Sequence, residues 1–112
     1  MPEIVYETVI ENATALPPGG RVQSDVVDVN GARVVNLMFG IPSNDSQVRW
    51  GVHFGPTTNN AYAQARSGTF AEHNTIAISV PVFGPGVLLV IENEGSRDEN
   101  VDGKIYFIRD LP

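Results

Sequence analysis

Three oxygen-bearing side chains stand at alternate positions before a glycine, in the order Asp98, Asn100, Asp102 and Gly103. This spacing matches the first half of a helix–loop–helix calcium loop, in which alternate oxygens converge on the ion and glycine permits a sharp turn. The match fails further on, because Arg109 stands at the loop position that a bidentate glutamate occupies. Two interpretations stay open for the segment 92–103: a calcium site in a β-sandwich loop, or a solvated hairpin loop.

The remaining chemistry-bearing residues do not form a catalytic pattern. A zinc site takes three or four ligands, whereas the chain offers only His53 and His73 without ligand spacing, and no cysteine. No Gly-x-Ser-x-Gly sequence is present to carry a serine nucleophile. The acidic residues lie mainly in predicted loops or on polar strand faces, which does not suit a pair of catalytic carboxylates. We therefore expect no catalytic residues and a protein that is not an enzyme.

The segment 47–54 and its surroundings predict a binding surface instead. Gln47, Arg49 and His53 share one phase of an alternating pattern, whereas Trp50 takes the opposite, apolar phase and is expected in the core. Tyr62 alternates with alanines on a predicted edge strand and is the candidate for an exposed, stacking aromatic. A glycan or another small ligand could bind these four residues; the alternative is a solvated sheet face.

The elements that must position these residues are strands. The chain has 15 valines, 8 isoleucines and 6 threonines against 5 leucines, and this β-branched excess favours strands. Alternation and turn residues predict about eight strands, at 4–10, 21–29, 33–39, 47–54, 61–66, 75–83, 87–92 and 101–109. No long crossover helix is predicted, so the strands pair antiparallel. We predict an all-β, single-domain antiparallel β-sandwich spanning residues 1–112 and resembling a jelly roll.

Two predicted strands, 34–39 and 87–91, are apolar on both faces. One face of each fills the core, and the other must also be covered, because large exposed apolar patches are rare in monomers. A chain of 112 residues has little left for that purpose. We therefore predict a homo-oligomer, with an interface that contains Val35, Leu37, Leu88 and Val90.

Composition and charge exclude several classes of partner. With 7 basic and 13 acidic residues, the net charge is 7 − 13 = −6, which repels phosphate backbones and anionic lipids. Nucleic acids and membranes are therefore not expected partners. The longest apolar run, 87–91, is far shorter than the roughly 20 residues of a membrane-spanning helix. The first residues carry no secretion signal, which predicts a cytoplasmic start or a virion component. No cofactor is expected apart from the calcium considered above.

The order and spacing of the predicted strands and turns resemble those of a known group of modules. Segment 14–31 places a Pro/Gly loop before a strand that ends at Asn30-Gly31, and a long apolar strand follows. Segments 87–96 and 103–109 are similar to the last two strands of small jelly-roll β-sandwich modules. Such modules occur in phage and virion structural proteins and in carbohydrate-binding domains. The resemblance implies a fold and an assembly or binding role, and carries over no site residues. We expect a non-catalytic, self-associating structural protein, with a glycan- or ligand-binding module as the alternative.

Overall fold

The computed structural model describes residues 2–110, which form nine β-strands and no helix. The strands are β1 (Pro2–Leu16), β2 (Arg21–Gln23), β3 (Val27–Asp28), β4 (Ala32–Gly40), β5 (Asp45–Gly55), β6 (Ala63–Phe70), β7 (Thr75–Pro81), β8 (Gly86–Asn93) and β9 (Glu99–Asp110). In this part of the chain no helix is long and apolar enough to cross a membrane. The predicted all-β class is confirmed.

The strands form two antiparallel sheets. Sheet 1 has the order β1-β9-β4-β7, and sheet 2 has the order β2-β8-β5-β6, with β3 also paired to β8. β2 and β3 lie along the same strand β8, so they act as one interrupted strand. At the interruption, the Ser24 backbone N–H donates to the Leu89 carbonyl, and the Ser24 hydroxyl accepts from the Leu89 N–H, both at 2.9 Å. Counted this way, each sheet has four strands, and their order is that of a jelly roll.

The core lies between the two sheets and follows the alternation of their central strands. Inward residues of β4, β5, β8 and β9 are buried, and an aromatic group closes one region of the core. There Phe39 meets Trp50 edge-on at 5.0 Å between ring centroids, and Phe70 at 6.0 Å. Such edge-to-face pairs are a favoured aromatic geometry. Trp50 is 7% exposed, which confirms its predicted core position.

The four residues predicted to lie at an interface, Val35, Leu37, Leu88 and Val90, are all buried within one chain. Val35 and Leu37 point into the sandwich and are 0% and 2% exposed. Leu88 and Val90 face away from the core cluster, yet they are only 5% and 3% exposed. β8 is a central strand, flanked on one side by β2 and β3 and on the other by β5, so its outward side chains are shielded by neighbours such as His53.

Strand ends differ from the prediction in two places that affect candidate residues. β6 begins at Ala63 rather than 61, which leaves Tyr62 just before the strand. β9 begins at Glu99, so the loop after β8 is shorter than predicted and Asn100 and Asp102 belong to a strand. β7 ends at Pro81 and is an edge strand, the position expected for a proline.

Candidate functional site

A depression on the outer face of sheet 2, which we call the notch, is centred on Gly51. Its volume is about 320 Å³, and its lining includes Arg49, Gly51, His53, Gln64 and Glu92. Successive residues of a strand point to opposite faces, so residues 49, 51 and 53 face outward while Trp50 faces the core. Because Gly51 has no side chain, a gap remains between its two outward neighbours on β5.

The register of sheet 2 brings further polar groups to the notch. Gly51 pairs with Val90 on β8 and with Ser67 on β6. A Cβ added to Gly51 would lie 3.1 Å from His53 Nε2 and 3.4 Å from Gln64 Oε1, so these two polar ends converge above the glycine. The notch thus has an apolar and backbone floor with hydrogen-bonding groups around it.

Ion pairs balance the charges beside the notch. The Arg49 guanidinium contacts the Glu94 carboxylate, and Arg21 lies 4.0 Å from Glu92. All four side chains are between 39% and 56% exposed, so solvent screens both pairs and each contributes little to stability. The lining itself contains one basic side chain, Arg49, and one acidic side chain, Glu92. The notch therefore offers donors and acceptors without a net charge.

A second depression, the aromatic depression, adjoins the notch. It has a volume of about 500 Å³ and is lined by Phe54, Tyr62, Phe83 and Gln64 among others. Tyr62 and Phe83 are 67% and 68% exposed. Phe83 is held edge-on against the buried Phe54 at 5.7 Å. Gln64 lines both depressions, so the two lie on either side of this residue.

The structure brings together part of the predicted ligand-binding set. Arg49 and His53 line the notch, and Tyr62 lies in the adjoining depression. Gln47 lines neither; its carbonyl accepts a hydrogen bond from the Glu94 N–H at 2.9 Å, near the end of β8. Sequence reasoning missed Gln64 and Phe83. The glycine between Arg49 and His53 was the local signal for a depression.

The structure does not form the predicted calcium loop at Asp98, Asn100 and Asp102. Asn100 pairs with Ala15, and Asp102 pairs with Gly40, inside sheet 1. Side chains two apart on a strand are separated by about 7 Å along it, so they do not converge on one ion. The buried Glu99 accepts a hydrogen bond from the Ser43 hydroxyl at 2.7 Å. Among residues 2–110, no three His, Cys, Asp or Glu side chains are grouped to hold a metal.

The outer face of sheet 1 carries a patch of large exposed side chains, which we call the apolar face. Cross-strand partners place Ile4 beside Ile108, and Tyr6 beside Tyr106. The two tyrosine rings meet edge-on at 6.5 Å. Six residues between 36% and 67% exposed make up the patch: Ile4, Tyr6, Val34, Met38, Tyr106 and Ile108. Contiguous exposed apolar surface of this kind marks interaction sites.

Polar groups at the centre of the apolar face satisfy each other. The Asn36 amide donates to the Tyr106 carbonyl at 3.3 Å, and the Ser79 hydroxyl donates to Asn36 Oδ1. On β9 the outward acidic residues, Asp102 and Asp110, stand at the two ends of the face, and Lys104 faces outward between them, opposite Met38. The centre can therefore lose its water without burying a carboxylate of β9.

Comparison with protein-family models gives no match, and comparison with curated proteins gives none either. Solved structures share the fold at low sequence identity. The SPBc2 prophage-derived protein YomS has a TM-score of 0.58 and 12% identity, covering 95% of both chains. A protein of the Bacillus endospore appendages, described as disulfide-linked pili, has a TM-score of 0.54 and 10% identity, covering 100% of this chain and 92% of that chain.

A third structure extends the range of proteins with this fold. The C-terminal CBM6 of LamC, a marine laminarinase of Zobellia galactanivorans, has a TM-score of 0.50 and 6% identity, covering 92% of this chain and 98% of that chain. These similarities confirm the expected resemblance to jelly-roll modules of phage and carbohydrate-binding type. At such identities they establish the fold, and a fold shared by assembly and binding proteins does not specify a function.

Proposed function

We propose that the protein is a non-catalytic β-sandwich that self-associates by packing the apolar faces of two copies together. The observation that carries this proposal is the patch of six large, exposed side chains on sheet 1. Monomeric proteins rarely expose contiguous apolar patches of this kind. Pairing the faces would remove them from water and stack the four sheets of two copies, with the two copies of sheet 1 packed about 10 Å apart as sheets do.

The distribution of charge supports a second copy as the occupant. The chain carries a net charge of −6, so two copies repel each other across most orientations. The centre of the apolar face is the region where this repulsion is weakest, because the outward acidic residues of β9 lie at its ends, at Asp102 and Asp110. An identical partner meets this centre, which carries no carboxylate of β9, with its own.

The size of the face predicts how tight the association is. Pairing would engage the outer surface of all of sheet 1, where four strands spaced about 4.8 Å apart give a width of about 19 Å, and three successive outward rows give a length of about 20 Å. The flat area is therefore about 400 Å² per copy, and side-chain relief raises the accessible area above this value. Two faces bury about 1,000 Å² in total, near the lower limit of specific interfaces. We expect reversible dimerisation with a micromolar dissociation constant.

The similarity to the Bacillus pilus protein supports an assembly role for this fold. That assembly is described as disulfide-linked, whereas this chain contains no cysteine. Its copies would have to associate through a noncovalent surface, and the apolar face is such a surface.

Molar mass in solution tests the proposal. Light scattering after size exclusion, over a wide range of protein concentration, should show wild-type mass rising from 12.1 kDa towards twice that value. Tyr106→Glu places a carboxylate at the centre of the apolar face and should give a monomer at every concentration. Tyr62→Glu, a matched change on the other sheet, should associate like the wild type. A monomeric wild type, or a Tyr106→Glu protein that still dimerises, would refute the proposal.

A further inference from the structure

We infer that the notch and the aromatic depression on sheet 2 form one binding site for a neutral oligosaccharide. The two depressions have volumes of about 320 and 500 Å³, and each is within the usual size range of small-ligand sites. Gln64 lines both, so a ligand longer than one ring could lie across them. One end of this surface is polar and the other is aromatic.

The polar end suits hydroxyl groups. A sugar hydroxyl both donates and accepts, and the notch offers both kinds of partner. The Gln64 amide and the Arg49 guanidinium supply donors, and the Glu92 carboxylate and the Gln64 carbonyl supply acceptors. These groups surround a floor that stays open because Gly51 has no side chain. Filling that space with a larger residue would remove the place where a sugar ring can approach the strands.

The aromatic end offers a surface for the apolar face of a sugar ring. Tyr62 and Phe83 remain mostly exposed although each carries a large apolar ring. Phe83 is not a freely moving side chain, since it packs edge-on against the buried Phe54. Rigid aromatic rings give large contact area at little cost in conformational entropy. An aromatic surface beside a polar notch matches a ligand with both hydroxyl groups and C–H faces.

The charges favour a neutral ligand over an anionic one. The lining of the two depressions contains one basic residue, Arg49, and one acidic residue, Glu92. The Arg49 guanidinium already contacts Glu94, and the whole chain carries a net charge of −6. A phosphate, sulfate or uronate group would therefore meet no excess of positive charge, and the acidic surface around the site would repel it.

Binding can be measured on the intact protein with a glycan array that contains neutral and charged glycans. We expect retention of neutral oligosaccharides and no retention of sulfated or phosphorylated ones. Trp50 is the only tryptophan, so titration of the retained oligosaccharide should also change the intrinsic fluorescence. An array on which folded wild-type protein binds no glycan, or binds charged glycans only, would overturn the inference.

Two variants locate the site. Tyr62→Ala should weaken binding about tenfold, the effect of losing one aromatic contact. Tyr6→Ala removes a similarly exposed ring from sheet 1 and should leave binding unchanged. Gly51→Val should abolish binding by filling the notch while leaving the melting temperature close to that of the wild type. If Tyr62→Ala and Gly51→Val both bind as the wild type does, the site lies elsewhere and the inference fails.

This inference does not depend on self-association, because the two surfaces are on different sheets. Tyr106→Glu should give a monomer that still binds the oligosaccharide. Tyr62→Ala, which should bind the glycan more weakly, should keep the molar mass of the wild type. The two proposals can therefore fail separately.

Discussion

Replacing Gly68 with alanine is expected to destabilise the sandwich, because the indole of Trp50 occupies the space that the new methyl group would take. The added Cβ would lie 2.7 Å from Cζ2 and 2.9 Å from Cε2 of the indole. Carbon atoms in favourable contact are about 3.5–4.0 Å apart. The indole cannot move freely inward, since it packs against Phe39 with ring centroids 5.0 Å apart.

The size of the effect follows from two opposing contributions. Overpacking of a filled core costs about 1–3 kcal/mol, and contacts this short belong in the upper part of that range. Alanine in a strand gains about 0.5–1 kcal/mol over glycine, because glycine loses more conformational freedom on folding. The net loss in the free energy of unfolding is about 1–2 kcal/mol. For a domain of this size, a loss of about 1 kcal/mol lowers the melting temperature by about 4 °C.

Urea unfolding followed by tryptophan fluorescence measures this directly, because Trp50 is the only tryptophan. Gly51→Ala is the matched control on the neighbouring strand. Its Cβ would meet only the mobile ends of His53 and Gln64, at 3.1 and 3.4 Å, and its stability should stay within about 0.5 kcal/mol of the wild type. If Gly68→Ala were as stable as the wild type, the indole would not be seated on the glycine and the reasoning would be refuted.

Two further substitutions test the core and the turn after β8. Leu37→Ala should lower the free energy of unfolding by about 2–5 kcal/mol in thermal unfolding, because Leu37 is 2% exposed between the sheets. The molar mass of the folded, self-associated protein should not change. A smaller molar mass with unchanged stability would contradict the core position of Leu37. Asn93→Ala should lower the free energy of unfolding in urea by about 2–3 kcal/mol, because three hydrogen bonds are lost. The Asn93 amide donates to the carbonyls of Leu16 and Arg97 at 3.0 and 2.7 Å, and its Oδ1 accepts from the Gly95 N–H at 2.9 Å. Equal stability of the variant and the wild type would show that water replaces these bonds.

Strand content and local orientation could be predicted because they depend on neighbouring residues alone. In β5 the alternation correctly placed Trp50 inward and Arg49 and His53 outward. Pro81 lies on the edge strand β7, which fits its chemistry, because proline lacks the N–H that a central strand needs. The segment 92–103 shows where neighbouring residues alone do not suffice. Its residue types fit a loop, but Asn100 and Asp102 pair with strands far away in the sequence.

The interaction surface could not be located from alternation. Leu88 and Val90 lie on a strand that is apolar on both faces, and their burial depends on the strands beside β8. In β1, residues at both phases are apolar, so the pattern did not reveal that Ile4 and Tyr6 face outward. Only the pairing of β1 with β9 places these two residues beside Ile108 and the other members of the apolar face.

The sequence by itself determined the β class, the approximate strand positions, the net charge of −6 and the absence of thiol chemistry. The tertiary structure decided which strand faces meet water and which polar residues meet at the notch. Arg49 and His53 are neighbours on one strand, whereas Gln64 and Glu92 join them from β6 and β8 through the register of sheet 2. Alternation assigns a side chain to one face of its own strand. Which face becomes interior, and what lies beside it, depends on pairing between strands that are distant in the chain.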